Sequence, residues 1–337
     1  MPKLGEYQFL LDIVAFLYPD EASARAGRDA GGTGFFVTIP SATYPEHYHH
    51  AYAVTNHHVA LGARGKRPCP VVRVNKLSGP PEVFPFDDTE WQFIGGGPDV
   101  AVVPITLNPN QLKVSAIAAA SFFLTAAEIA EHEINAAEDV FMLGRFIDYD
   151  GIEENLPSMR FGNISMMAAK VQQPTDYSGN SYVVDMHSRT GFSGSPVFVY
   201  RTAGSIFAKP NRIMGGGHFM KLLGILWGQF PEEWDLKDRG HAQSATVPVL
   251  DGKTIKGMSG MSLVCPAAEI WRVLNMPDLK KHREQVDASL HQHFAAAAGT
   301  QSAAPPARRR EPHSPRGFQL STNRGSAKAW SKRLARR

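Results

Sequence analysis

Gly191-Phe192-Ser193-Gly194-Ser195-Pro196 is the stretch on which the fold turns. A serine between glycines, directly ahead of the apolar run Val197–Tyr200, marks a tight turn leading into a strand. Glycine on either side lets the backbone bend sharply, exposes the Ser193 hydroxyl and leaves room for a carbonyl group. The N–H groups of Gly191 and Ser193 are then placed to hold a developing oxyanion. Taken alone, this pattern describes a glycine/serine turn as well as it describes a nucleophile.

A serine hydroxyl is a weak nucleophile until a positioned base takes its proton, so partners decide the reading. Ala53-Val54-Thr55-Asn56-His57-His58-Val59 puts a histidine pair at the end of an apolar strand. Upstream, Gly31-Gly32-Thr33-Gly34-Phe35-Phe36-Val37 is a glycine-rich entry to another strand. Downstream, Pro98-Asp99-Val100-Ala101-Val102-Val103-Pro104-Ile105 places one acid at the head of a hydrophobic strand. That aspartate is suited either to starting a strand after a turn or to holding an imidazole in one tautomer.

In chain order the three segments give His, Asp, Ser, with separations of 41 and 94 residues. An α/β-hydrolase runs Ser, acid, His and has a glycine where Ser195 stands, so that fold is excluded. Together the segments resemble the trypsin/chymotrypsin-like serine peptidases, and among them the bacterial members and the Deg-type catalytic domain. The resemblance spans roughly residues 30–275. It aligns Thr55–His58 with the family's Thr-x-x-His element, which selects His58 over His57 as the base. Asp99–Val102 and Gly191–Gly194 match the other two elements. The implied fold is all-β: two six-stranded antiparallel β-barrels with the site between them, and a C-terminal helix.

The implied catalytic residues are His58, Asp99 and Ser193, with Gly191 and Ser193 forming the oxyanion hole. Leu226, Trp227 and Gly228, in Leu223–Gly228, resemble the strand that binds extended substrate. His187, six residues before Ser193, falls where the family often floors its specificity pocket, and it reads equally as a loop histidine. Gly260–Val264 resembles the family's final strand. Phe192 departs from the zymogen-activated members, which have an aspartate there, so activation by a buried N-terminal ion pair is not expected. The implied activity is endopeptidase hydrolysis of a protein or peptide substrate without metal or organic cofactor. A catalytically silent binding module on the same fold is the alternative.

Composition agrees with a strand-rich globular chain. Thirty glycines and twenty-four prolines punctuate short apolar runs. Strands are expected at 34–39, 52–55, 71–74, 100–105, 140–143, 182–185, 197–200 and 222–227. Helices are expected at Thr125–Glu133, capped by its threonine, and at Ala267–Leu274, entered through Pro266. Pro40–Ala51 reads as a loop in which His47, His49 and His50 are solvated, because no nearby acid or cysteine completes a metal site.

Charge divides the chain. Residues 280–337 hold thirteen Lys/Arg against three Asp/Glu, so a basic tail follows a weakly acidic body. The folded domain is expected to cover 31–279, after an N-terminal segment (1–30) that packs on the barrel, with the tail disordered. Such a tail suits a non-specific anionic partner, nucleic acid or an anionic surface, rather than sequence-specific recognition. Cys69 and Cys265 form neither a disulfide framework nor a zinc motif. Phe9–Tyr18 is too short to span a membrane and is interrupted by Asp12, which leads to a cytoplasmic expectation. Arg201–Lys221 and Phe230–Gly257 read as surface insertions or gating loops near the pocket.

Overall fold

The computed structural model describes residues 8–62, 67–146, 151–172, 178–187, 191–201, 219–235 and 253–301. Seven strands form a first sheet: β1 (Val14–Tyr18), β2 (Gly32–Pro40), β3 (His49–Thr55), β4 (Val71–Val74), β5 (Glu82–Phe84), β6 (Ala101–Pro104) and β7 (Ile117–Ala118). Their order is β5-β4-β1-β2-β3-β6, with β7 pairing β2 in parallel. Six more form a closed barrel in the order β10-β13-β12-β11-β8-β9. These are β8 (Asp139–Gly144), β9 (Ser158–Gln172), β10 (Ser178–Asp185), β11 (Pro196–Arg201), β12 (Phe219–Asp235) and β13 (Thr254–Pro266).

Two closed six-stranded barrels were the expectation, and the first sheet departs from it. Its end strands β5 and β6 are three and four residues long and do not pair with each other. Among the described residues, the sheet continues beyond β6 as an isolated bridge from Gln92 to Val102. Short edge strands of this kind leave a sheet open rather than closed.

The apolar stretch Phe9–Tyr18 supplies α1 (Gln8–Asp12) and β1. All five residues of β1 are buried, and the strand lies between β2 and β4 rather than packing on the sheet from outside. A central strand covered on both faces reads as an unbroken apolar run, the same signal a targeting segment gives. Ala22–Ala24 falls inside α2 (Glu21–Ala26), whose N-cap Asp20 accepts from the Ser23 N–H.

Arg73 of β4 is wholly buried, with partners on β1 and in the connection ahead of β9. Its guanidinium donates to the Tyr18 hydroxyl, to the carbonyls of Gly151 and Ile152, and to Asn155 Oδ1. Asn155 returns a bond from Nδ2 to the Arg73 carbonyl, so the connection ahead of β9 is tied to the first sheet. A buried cation is tolerated because neutral acceptors surround it.

Helix α3 (His57–Ala60) follows β3 directly, and α4 (Ala119–Phe122) follows β7. Helix α5 (Ala126–His132) begins at a capping box between Thr125 and Glu128. Helix α6 (Ala267–Leu274) buries Ala267, Ile270, Val273 and Leu274, the spacing of one helical face. Helix α7 (Pro277–Gln301) then continues past the boundary expected near residue 280.

Residues up to His291 belong to the compact unit. Leu279 is buried, Arg283 donates to the Tyr52 hydroxyl and the Leu274 carbonyl, and Asp287 pairs with His50. These anchors are mostly polar and widely spaced, so α7 lacks the apolar periodicity that announces a packed helix. His50 is likewise no solvated loop residue: β3 begins at His49, and His50 is 5% exposed. The acid that pairs with it comes from 237 residues away. The basic tail from 302 onward, and residues 202–218 and 236–252 of the two expected insertions, lie outside the described residues. Of the remainder, Arg201 ends β11, and residues 219–221, 230–235 and 254–257 belong to β12 and β13.

Candidate functional site

His58 lies on α3, directly after β3, because the strand ends at Thr55 and Asn56 takes extended backbone angles at the helix N-cap. Asp99 lies two residues before the start of β6, which pairs β3 with Thr55 opposite Ala101. The ends of two neighbouring strands thus bring together residues 41 positions apart. His58 Nδ1 is 2.6 Å from Asp99 Oδ2, and the His58 backbone N–H donates to Asp99 Oδ1 at 3.0 Å. Both side chains are 2% exposed. An ionised carboxylate only accepts, so the imidazole donates to it from Nδ1, and in the neutral tautomer Nε2 is the acceptor. Asn56 Nδ2 donates to the Asp99 carbonyl at 2.8 Å and fixes the aspartate from the backbone side. His57 instead packs at a tilt of 42° against Phe93, 4.2 Å between ring centroids.

The serine turn is pinned from both sheets. Phe192 is wholly buried in the core of the closed barrel, anchoring the turn by roughly 2–3 kcal/mol of apolar burial. Gly191 and Gly194 have φ of +100° and +90°, conformations that glycine adopts without strain. Gly194 N–H donates to the Leu226 carbonyl and Leu226 N–H to the Ser195 carbonyl, both at 2.9 Å. From the first sheet, the Thr33 N–H donates to the Ser193 carbonyl at 2.9 Å. The Thr33 hydroxyl donates to the Gly191 carbonyl at 2.8 Å and accepts the Arg145 N–H at 3.0 Å. Thr55, three residues before His58, closes the circuit by donating its hydroxyl to the Thr33 carbonyl at 2.7 Å.

Ser193 is half-buried within this frame. Among the described residues His58 Nε2 has no hydrogen-bond partner, so the serine–histidine bond is not formed here. Catalytic hydrogen bonds are often long or misaligned without substrate.

The other residues anticipated from sequence fall in different places. Leu226 and Trp227 are buried in β12, and both backbone groups of Leu226 are engaged by the serine turn. The Trp227 indole N–H donates to Ser181 Oγ at 2.8 Å. A register shift falls between Leu226 and Gly228, Gly228 is part-exposed, and the preceding Trp227 borders a cavity of about 370 Å³. Pro98, Asp99, Asn180 and Trp227 line that cavity. His187 is exposed at the end of β10, its ring against Gly260, while residues 188–190 lie outside the described residues.

Thr33, Asn56 and Arg145 were not singled out by sequence. Thr33 stood in a segment notable only for its glycines, and a hydroxyl bridging two sheets leaves no periodic signal. Among the described residues no cluster of three or more His, Cys, Asp and Glu is placed to hold a metal ion. No helix among them is long and apolar enough to cross a membrane.

No protein-family description matches the chain, and no curated protein matches it. Solved structures similar to it are trypsin-like and HtrA-type protease domains. One is the MamO protease domain of Magnetospirillum magneticum in its apo form, at 16% identity and TM-score 0.44, covering 80% of this chain and 100% of that one. Another is the inactive form of an Rv3671c serine-to-alanine mutant from M. tuberculosis H37Rv, at 16% identity and TM-score 0.40, covering 81% and 88%. A third is the HtrA-type protease AlgW with a decapeptide, at 17% identity and TM-score 0.36, covering 79% and 53%.

Proposed function

We propose that this chain is a serine endopeptidase that cleaves peptide bonds through an acyl-enzyme. The observation that carries the reading is the buried 2.6 Å pair of His58 and Asp99, with His58 three residues after Thr55, whose hydroxyl bonds the same Thr33 that binds the Ser193 carbonyl of the Gly-x-Ser-Gly turn. In this reading Ser193 Oγ attacks the scissile carbonyl as Nε2 of His58 takes its proton. Asp99 holds the imidazole in the productive tautomer and stabilises the imidazolium. The N–H groups of Gly191 and Ser193 receive the oxyanion. His58 then protonates the departing amine, and water, activated by the same base, releases the acyl group.

An extended substrate runs along the part-exposed bulge at Gly228, with a side chain entering the cavity between Trp227 and Pro98. Mass-spectrometric profiling of a peptide library tests the reading. New termini are expected with the native chain and none with Ser193→Ala. A native chain that leaves every peptide intact contradicts it. The second reading, a silent binding module, is favoured by one observation, the unformed bond at His58 Nε2. It predicts peptide capture without cleavage in the same library.

A further inference from the structure

The residue after β8 carries a function that the proposed triad does not use. Arg145 is a charged side chain only 6% exposed. Its backbone N–H donates to the Thr33 hydroxyl, which in turn donates to the Gly191 carbonyl. Its guanidinium covers the open face of that same glycine: a Cβ added at Gly191 would stand 3.0 Å from Arg145 Nη1 and 3.9 Å from its Cδ. One residue thus supports the oxyanion turn twice, by its backbone N–H through Thr33 at the carbonyl and by its guanidinium beside the space a Gly191 side chain would fill.

Resting on the proposed role of Ser193, we infer that Arg145 is a positioning residue for the oxyanion hole. It holds Gly191 so that its N–H meets the negative charge forming on the substrate oxygen. Preorganised donors in a water-poor site are the largest single contribution to acyl transfer, and a fixed cation beside one of them favours the charge as it forms. Gly191 at φ +100° has no side chain to fix its orientation, and Arg145 occupies the space a side chain would take. The neighbouring Phe192 is covered in a similar way, with the Arg160 guanidinium 5.9 Å from its ring centroid. The turn therefore has two arginines against it, Arg145 after β8 and Arg160 of β9, in place of a buried ion pair at position 192.

The test uses the full chain with a fluorophosphonate, whose phosphoryl oxygen occupies the oxyanion position once Ser193 attacks. Saturation kinetics separate the limiting inactivation rate from the half-saturation concentration. Arg145→Met keeps the length of the side chain and removes its charge. It is expected to slow the limiting rate about 10- to 100-fold, less than or equal to the loss of an oxyanion donor itself, with half-saturation and melting temperature unchanged. Arg145→Lys is expected to recover part of that rate. Thr33→Val cuts the other arm of the support and is expected to slow the limiting rate in the same way, which covers a Met variant that fails to fold. A native chain that reacts, with Arg145→Met and Thr33→Val reacting within twofold of it, overturns the inference while leaving Ser193 as the nucleophile. Parallel loss of rate, half-saturation and melting temperature also overturns it, by making Arg145 a packing residue. A native chain that never reacts overturns the assignment of Ser193 and this inference with it.

Discussion

Gly194→Ala isolates the energy stored where the two sheets meet. The glycine has φ of +90°, and a Cβ there would overlap the Thr33 carbonyl oxygen and lie within 2.5 Å of Thr55 Oγ1. Neither atom has room to retreat. Thr33 is paired with Phe16 of β1, and its carbonyl accepts the Thr55 hydroxyl. Gly79 provides the comparison: its φ is +83°, and nothing lies within 4 Å of an added Cβ. Both substitutions incur the strain of an L-residue at positive φ, about 1–3 kcal/mol. Both also reduce the freedom of the unfolded chain to the same degree, which cancels in the comparison. Gly194→Ala adds overpacking against rigid backbone, about 1–3 kcal/mol more. At roughly 2–4 °C per kcal/mol for a domain of this size, it should melt about 2–12 °C below Gly79→Ala. Circular dichroism melts of the two variants and the parent chain measure the difference. Equal melting temperatures for the two variants refute the argument that Gly194 is required by its contacts.

Three further outcomes follow from the geometry. Asp99→Asn keeps the shape of the side chain but no longer imposes the Nδ1–H tautomer. Peptide hydrolysis should fall about 10³- to 10⁴-fold with an unchanged far-ultraviolet spectrum, and a loss under tenfold argues against Asp99 as the orienting group. At the α7 anchor, burial holds the His50 pKa below its usual 6.5, an effect the Asp287 carboxylate only partly offsets. Burial raises the Asp287 carboxyl, but bonds from Ser41 and the Ala42 N–H, together with His50, outweigh it and leave the pKa below 3.8. Both groups bind fewer protons folded than unfolded. Their stabilisation is therefore present at neutral pH and lost on acidification, first as His50 titrates and then Asp287. Between about pH 7 and about pH 5 the urea midpoint of the parent chain should drop more than that of His50→Gln, and parallel curves contradict the coupling. Finally, burial pushes the Cys69 thiol up to about 11, and Cys265 is raised as well. With about one Cys69 thiol in a thousand ionised at pH 8, iodoacetamide should label neither cysteine until the chain is unfolded.

The parts legible in the sequence were those written in local chemistry. Apolar runs located β2, β4, β6, β8 and β11, and the Thr125 and Pro266 signals located α5 and α6. The order His58, Asp99, Ser193 pointed to a site between two sheets, and strand ends do bring the first two together. Features set by distant partners were hidden. Strand β9 exposes most of its fifteen residues, so no alternation of burial marks it. The polar bonds of Arg283 and Asp287 to the first sheet connect positions more than 230 residues apart. The role of Thr33 depends on two hydrogen bonds that exist only once both sheets are in place. Leu226 shows the opposite effect: its sequence resembles a substrate-binding strand, while its backbone is taken up by the serine turn.

The central claim is that Ser193 is a nucleophile activated by His58. Mass spectrometry of the native full chain after treatment with a fluorophosphonate tests it most directly. The account predicts a single phosphonyl adduct on the peptide containing Ser193, absent from Ser193→Ala and reduced by several orders of magnitude in rate in His58→Ala. A native chain that forms no adduct, or an adduct that persists in Ser193→Ala, contradicts it.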